Sequence, residues 1–264
     1  MIVKAYRPPN DAGEMQHDAI VAVARLKTAA AEEPINMSHI AEACSELSSV
    51  CDAGLADRCL AAKCGAYDVL MSILHTDSPA ENLSFMLPAL LSLVDQQPDI
   101  LDERGATCIV NILHDSVSSA DVIVIALNIV CRCCTLHEAN RQLFVTLEII
   151  PVAADLLTTY HSHRGVVWAA CAVFSALTLD DDVRVAFGKS HEHAKAIVIE
   201  GNALETLLQL ASGIYLKLLY ICINSANNSV NTQQHFIEGI NTCFCDRNWP
   251  DGQNLMKYIF VSLK

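Results

Sequence analysis

Histidine pairs are the first residues in this 264-residue sequence whose type and spacing could bind a metal. One pair is His161 and His163, and the other is His191 and His193. Side chains two residues apart on a helix point to different sides, so either pair could chelate zinc only from an extended loop. Solvated histidines are the simpler interpretation. We therefore expect no bound metal and no other cofactor.

Cysteine clusters could support zinc binding or redox chemistry. The sequence contains twelve cysteines, including Cys131, Cys133 and Cys134 in one apolar run and Cys243 with Cys245 in another segment. Zinc or redox sites need a second ligand pair or a strand-to-helix context, and neither is visible. A thiol- or metal-responsive regulator remains the alternative function. The favoured interpretation is reduced thiols buried in helices, which indicates a protein of the cytoplasm or the nucleus.

Motifs of common enzyme classes are absent from the sequence. It has no glycine-rich phosphate loop, no Gly-x-Ser-x-Gly elbow and no His-Glu-x-x-His helix. Three of its ten glycines mark the starts of a repeated unit. We therefore predict that the protein is not an enzyme.

Charge and apolar patterning exclude two further classes of function. A formal net charge of −13 repels phosphate backbones, so we expect no nucleic-acid partner and favour partners of basic character. The longest apolar stretches, Val122 to Cys131 and Val166 to Leu179, are shorter than the roughly 18 to 20 residues that cross a bilayer. The first nine residues are broken by charge and proline, so neither a membrane span nor a secretory signal is expected.

A unit that recurs along the chain predicts the architecture. It begins at Gly65, Gly105, Glu148 and Gly201, and these starts are 40, 43 and 53 residues apart. Each of the first three units follows a short helical pattern and precedes a polar turn and a longer apolar helix. The predicted short helices are Leu55 to Leu60, Pro98 to Glu103 and Glu138 to Phe144, and the predicted long helices are Ala80 to Val94, Ala120 to Cys134 and Gly165 to Leu179. Three helices in about 40 residues predict an all-α solenoid of three-helix repeats.

Two segments resemble a known family. The run Asn140 to Phe144, followed by a turn and a helix start at Ile150-Pro151, resembles an armadillo repeat. The run Ala176 to Lys195, ALTLDDDVRVAFGKSHEHAK, resembles one member of that family over roughly residues 40–210. The resemblance implies a right-handed superhelical solenoid, an intracellular adaptor without known catalysis, and a longer chain with further repeats at one or both ends.

The ends of the sequence differ from its middle. Residues 1–16 carry two prolines and mixed charge, which indicates a flexible lead. The helical patterns His17 to Ala31 and Met37 to Val50 predict cap helices at the start of a solenoid over residues 17–212, with about four repeats. Residues 213–264 are rich in asparagine and lose the repeat pattern, so we expect a divergent segment that is partly helical or poorly ordered.

The long helices of such a solenoid stack side by side and form an inner wall, and residues four apart on each helix share a face. Armadillo proteins that bind nuclear-import peptides carry a ladder of tryptophan and asparagine on these helices. Only Asn128 matches that ladder here, so recognition of import signals is not expected. The predicted rows along this concave groove are Ser84, Pro88, Ser92 and Gln96; Val124, Asn128 and Arg132; and Trp168, Ala172, Ala176 and Asp180.

Two residues of these rows could anchor a protein or peptide partner. An exposed Trp168 would be typical of an interface hot spot, whereas its apolar neighbours also fit a core position. Arg132 could meet a carboxylate in the groove or extend from the edge of the core. We therefore predict a non-catalytic scaffold that binds its partner on this wall.

An insertion of about ten residues before the fourth unit is the second candidate region. Long loops in compact repeats often carry function, although consecutive aspartates also cap helices. The complete set of predicted partner-binding residues, from the wall and the insertion together, is Ser92, Asn128, Arg132, Trp168, Asp180, Asp181, Arg184, His191 and His193.

Overall fold

A computed structural model describes residues 17–75, 78–115, 119–179 and 181–185 of the chain. This described part is all helical, with ten α-helices, one 3-10 turn and no strand. Residues 1–16 and 186–264 lie outside it, and so do the predictions made for them. The elements in chain order are α1 Asp18–Ala30, α2 Met37–Ala53, α3 Leu55–Lys63, α4 Ala66–Ile73, α5 Ala80–Val94, the 3-10 turn Pro98–Ile100, α6 Glu103–His114, α7 Ala120–Cys134, α8 Glu138–Thr146, α9 Ile149–Thr159 and α10 Arg164–Leu177.

These elements form repeats, as the sequence predicts. Helices α3, α4 and α5 form one repeat, the 3-10 turn with α6 and α7 the next, and α8, α9 and α10 a third. The two cap helices α1 and α2 stand where the last two helices of an earlier repeat would be. The longest helices, α2, α5, α7 and α10, pack against one another in that order. They form the predicted inner wall.

The first helix of the middle repeat is shorter than predicted. The expected helix Pro98 to Glu103 is only a 3-10 turn over Pro98–Ile100, and α6 begins at Glu103. Proline suits the first turn of a helix because it has no N–H to donate. Two residues after this turn, Asp102 accepts a hydrogen bond from the amide of Gly105 at 3.0 Å and starts a new helix. The aspartate cap therefore ends the short element early.

The core lies between the wall and the helices behind it. Each wall helix buries one apolar face, as in α7, where Ile123, Leu127 and Val130 are at most 1% exposed. Full burial of one such side chain stabilises the fold by roughly 1.5–3 kcal/mol. Cys133 and Cys134 share this face and are also fully buried. The apolar run with cysteines is thus the packed side of a wall helix.

Candidate functional site

The inner wall presents one stripe of accessible residues from each long helix, opposite the buried face. Every member of the four stripes is exposed or half-buried. The stripes are Glu42, Ser45, Ser49 and Asp52 on α2; Glu81, Ser84, Pro88 and Ser92 on α5; Asp121, Val124, Asn128 and Arg132 on α7; and Arg164, Trp168, Ala172 and Ser175 on α10.

Most predicted wall residues lie on these stripes, and one prediction is wrong. Ser92, Asn128, Arg132 and Trp168 are accessible as expected, whereas Ala176 is 3% exposed and belongs to the core. An α-helix turns once every 3.6 residues, so a row of four-residue steps drifts around the helix. By the end of α10 the drift exceeds the width of the stripe.

Trp168 is exposed, which excludes the core position that its apolar neighbours also allowed. Its side chain is 42% exposed, and within the described part of the chain it makes no hydrogen bond. One turn earlier, a Cβ added to Gly165 would approach Cγ2 of Val124 to 3.3 Å, so α7 and α10 are in close contact beside the indole. Trp168 therefore offers a ring face and an indole N–H on a closely packed surface.

Two polar groups on α5 and α7 are also available on the wall. The side chains of Ser92 and Asn128 make no hydrogen bond with any described residue. Pro88 has no amide hydrogen, so the carbonyl of Ser84 lacks its usual partner four residues later in α5. The wall can thus offer hydrogen-bond donors and acceptors without breaking bonds of the fold.

Arg132 meets a carboxylate of its own chain at the edge of the wall. Its Nη1 lies 3.2 Å from Oδ1 of Asp95, which follows α5 and also pairs with Arg58 of α3. Arg58 is buried, while the side chain of Arg132 is 55% exposed. One carboxylate therefore holds two guanidinium groups, and Arg132 can still reach solvent.

The described start of the insertion is bound tightly to the preceding repeat. Asp181 accepts hydrogen bonds from Arg141 at 2.7 Å and from the amide of Leu136 at 3.1 Å. The neighbouring Asp182 accepts from the amide of Glu138 at 2.8 Å and so caps α8. Asp182 thus caps a helix of the preceding repeat, whereas the predicted cap concerns the next short helix, which lies outside the described residues.

Arg184 closes the same network from the other side. Its guanidinium lies 2.8 Å from Asp182 and 2.8 Å from Asp99. These hydrogen bonds hold the pKa of both carboxyls below the usual range, most strongly at Asp182, despite the opposing effect of burial. Asp181 and Arg184 thus have structural partners already, and their binding to a protein partner stays a prediction.

The remaining candidates of the insertion are Asp180, His191 and His193, and they lie outside the described residues. The other histidine pair is visible and exposed. Nδ1 of His163 accepts from the amide of Val166 at 3.3 Å and caps α10, and Nδ1 of His161 lies 3.2 Å from the carbonyl of Thr158. Among residues 17–185, where described, no three histidine, cysteine or acidic side chains form a group that could hold a metal.

Several thiols of the described part have the properties of core residues. Burial raises the pKa of Cys44 and of Cys51 to about 12 and that of Cys108 to about 11. Burial also raises the pKa of Cys133 and Cys134, which are both fully enclosed. Thiol chemistry proceeds through the thiolate, so these residues are poor nucleophiles and poor metal ligands. Nothing in this part of the chain supports the thiol- or metal-responsive alternative.

Sequence reasoning missed an arginine that recurs at one position of two repeats. Arg58 and Arg141 each lie seven residues before the start of a repeated unit, at Gly65 and Glu148. Arg58 pairs with Asp95 and Arg141 with Asp181, in each case a carboxylate that follows the last helix of the same repeat. The shared offset from the unit starts is a signal that would have found this pair.

No single helix in the described part of the chain is long and apolar enough to cross a bilayer. Helices α8 and α9 pass that test only when taken together, and they meet at a bend of 70°.

Known proteins similar to this chain carry armadillo repeats. The chain is 34% identical over 201 residues to armadillo repeat-containing protein 6 of Homo sapiens, and 35% identical over 178 residues to its homolog in Drosophila melanogaster. The human alignment covers 74% of this chain and 39% of the relative, so the chain spans well under half the length of that protein. No family model matches the chain.

Solved structures show the same fold. A designed armadillo repeat protein in complex with the peptide (KR)4 superposes with a TM-score of 0.61 at 16% identity, covering 94% of this chain and 100% of that one. A computationally designed armadillo repeat protein for modular peptide recognition gives a TM-score of 0.58 at 16% identity, covering 93% and 100%. The chain thus has the armadillo-repeat fold and is similar over 74% of its length to armadillo repeat-containing protein 6.

Proposed function

We propose that this chain is a non-catalytic scaffold that binds an extended peptide or protein segment on its inner wall, in the cytoplasm or the nucleus. The observation that carries the proposal is Trp168, which is 42% exposed on a wall helix and unbonded within the described part. Tryptophan is among the residues that contribute most to binding energy at protein interfaces. The accessible indole of Trp168, surrounded by half-buried neighbours, is therefore suited to anchor a partner.

The polar groups near Trp168 suit an extended chain. An extended peptide leaves its own N–H and C=O groups free along both edges, and these groups need partners when they are removed from water. Asn128 and Ser92 can supply such partners, and so can the carbonyl of Ser84. A designed armadillo repeat protein of the same fold binds the peptide (KR)4, which supports a peptide as the class of ligand.

The net charge of −13 favours a partner with basic character through electrostatic steering. Asp180, Asp181, Arg184, His191 and His193 form a second candidate contact region beyond the end of α10. The partners of the longer relatives remain unassigned to this chain, because it spans only 39% of their length.

The first experiment is proximity labelling in cells, followed by binding of the purified partner to the full chain. Trp168→Ala and Arg132→Gln change the wall, and Asp155→Asn, on an exposed position of α9, is the matched control. Loss of an interface hot spot costs at least about 2 kcal/mol, so Trp168→Ala should weaken binding roughly thirtyfold or more. Partners that bind all variants with wild-type affinity would exclude the inner wall.

A further inference from the structure

The inner wall divides into two zones with different chemistry. The acidic zone consists of the stripes of α2 and α5, which contain serine, one proline and the carboxylates Glu42, Asp52 and Glu81, and no lysine or arginine. The anchor zone consists of the stripes of α7 and α10, which contain Trp168, two arginines, one carboxylate (Asp121), Asn128 and small or apolar residues. A peptide that is basic throughout, or apolar throughout, would match only one of the two zones.

The carboxylates of the acidic zone are unpaired. Within the described ranges, Glu42, Asp52 and Glu81 have no ion pair and no side-chain hydrogen bond. Asp95, directly after α5, is in contrast bound by Arg58 and Arg132. The acidic zone therefore lacks the internal cations that neutralise the edge of the wall.

The anchor zone favours an apolar side chain over a basic one. Arg164 lies one turn before Trp168 on the same stripe, and Arg132 lies on the adjacent helix. The two arginines of the anchor zone outnumber its single carboxylate, Asp121, whereas the acidic zone holds three carboxylates and no lysine or arginine, so a basic side chain is better matched by the acidic zone. Val124 and Ala172 supply the apolar surroundings that an aromatic or aliphatic side chain needs to lose water.

We propose that the partner segment has two parts: a cluster of lysine or arginine on the acidic zone, and a large apolar side chain on Trp168. The proposal rests on the proposed function and specifies the ligand of that wall. Neighbouring packed helices lie about 8–10 Å apart, so α5 is roughly 16–20 Å from α10 and α2 roughly 24–30 Å. An extended chain covers about 3.3 Å per residue, so the two parts should be about five to nine residues apart.

A displayed library of random peptides tests this pattern on the full chain. Peptides of about sixteen residues can cover the whole wall at ~3.3 Å per residue. Parallel selections use the wild type, Trp168→Ala, the double variant Glu42→Gln with Glu81→Gln, and the control Asp155→Asn. We expect the wild type and the control to enrich peptides that carry a basic cluster and an aromatic or aliphatic residue at the predicted separation.

Affinities of the enriched peptides, measured by fluorescence polarisation, separate the two zones. Each exposed charge pair contributes modestly, so the double variant should weaken binding about three- to tenfold, with a smaller loss at high salt. Trp168→Ala should weaken it about thirtyfold or more. Circular dichroism of each variant confirms that it is folded.

Different results would refute the two-part ligand and the proposed binding on the inner wall. Enriched peptides that depend on Trp168 but show no basic cluster, or that bind the double variant as tightly as the wild type, would overturn the two-part ligand and leave wall binding intact. Absence of any enrichment, or enrichment that is unaffected by every wall variant, would overturn both.

Discussion

The buried guanidinium of Arg141 joins three parts of the chain, and its replacement by methionine should loosen all three. Arg141 is 0% exposed and donates to Glu138 at 2.8 Å, to the carbonyl of Cys134 at 2.7 Å and to Asp181 at 2.7 Å. Methionine keeps a similar length but leaves Glu138, which is 3% exposed, without this cation. Removing one partner of a buried pair costs about 3–5 kcal/mol.

That loss corresponds to a fall of roughly 6–20 °C in melting temperature, at about 2–4 °C per kcal/mol for a protein of this size. Thermal and guanidinium denaturation, followed by circular dichroism, measures it. The control is Arg104→Met, because Arg104 is 66% exposed and its pairs with Asp102 and Asp68 lie at the surface. Such exposed pairs contribute at most about 1 kcal/mol.

Hydrogen exchange locates the effect of Arg141→Met. Stability in repeat proteins is largely a sum of local terms and contacts between neighbours. Exchange should therefore accelerate in α8 and in residues 181–185 while α1 and α2 keep their protection. Equal losses for the Arg141 and Arg104 variants, or uniform acceleration along the chain, would refute the proposed role of the buried cluster.

Five further substitutions or measurements test local features. The pKa of Asp182 is lowered in the fold, so its ionised carboxylate stabilises the protein fully above the unfolded pKa near 4, and this stabilisation is lost as the pH falls below that value. When the urea midpoint of unfolding is plotted against pH, the Asp182→Asn variant should therefore show a smaller decline at acid pH than the wild type. A Cβ on Gly105 would lie 2.9 Å from the side chain of Leu101, so Gly105→Ala should cost about 1–3 kcal/mol in urea unfolding. Gly54→Ala should stay within about 0.5 kcal/mol, because the nearest atom would be 3.8 Å away. Glu148 has a left-handed φ of 62°, so Glu148→Gly should raise stability by about 1 kcal/mol by the same assay. Cys44, whose pKa is about 12, should be alkylated by iodoacetamide at pH 8 only when the protein unfolds, as mass spectrometry can show.

The helix pattern of the fold was predictable where local signals agree. The bounds Ala80–Val94 and Ala120–Cys134 match the prediction, because polar turns precede both helices and their apolar faces are continuous. At Ser119 the hydroxyl also accepts from the amide of Val122 at 3.3 Å and fixes the start of α7. The predicted helix from Pro98 to Glu103 was wrong, because Asp102 caps the start of α6 within that segment.

The candidate site was less predictable, because the rotation of each helix about its own axis decides which side chains reach the wall. Trp168 lies in the run VVWAACAVF, where each position looks equally apolar. Its exposure is set by the rotation of α10 against α7, and that rotation also buries Ala176. The contacts of Arg141 with Asp181 join positions 40 residues apart, which periodicity within one helix cannot reveal.

The separation of polar contacts from the inner wall makes the binding proposals testable. Arg58, Arg141 and Arg184 hold the carboxylates of Asp95, Asp181 and Asp99, which lie between the α-helices and away from the stripes of the wall. The side chains of Ser92 and Asn128, in contrast, make no hydrogen bond to any described residue. Substitution of surface side chains without such bonds usually changes stability by no more than about 0.5 kcal/mol. Ser92→Ala and Asn128→Ala should therefore keep the wild-type melting temperature, so that any loss of peptide affinity reports contact with the ligand; a large fall in melting temperature would show instead that these side chains support the fold.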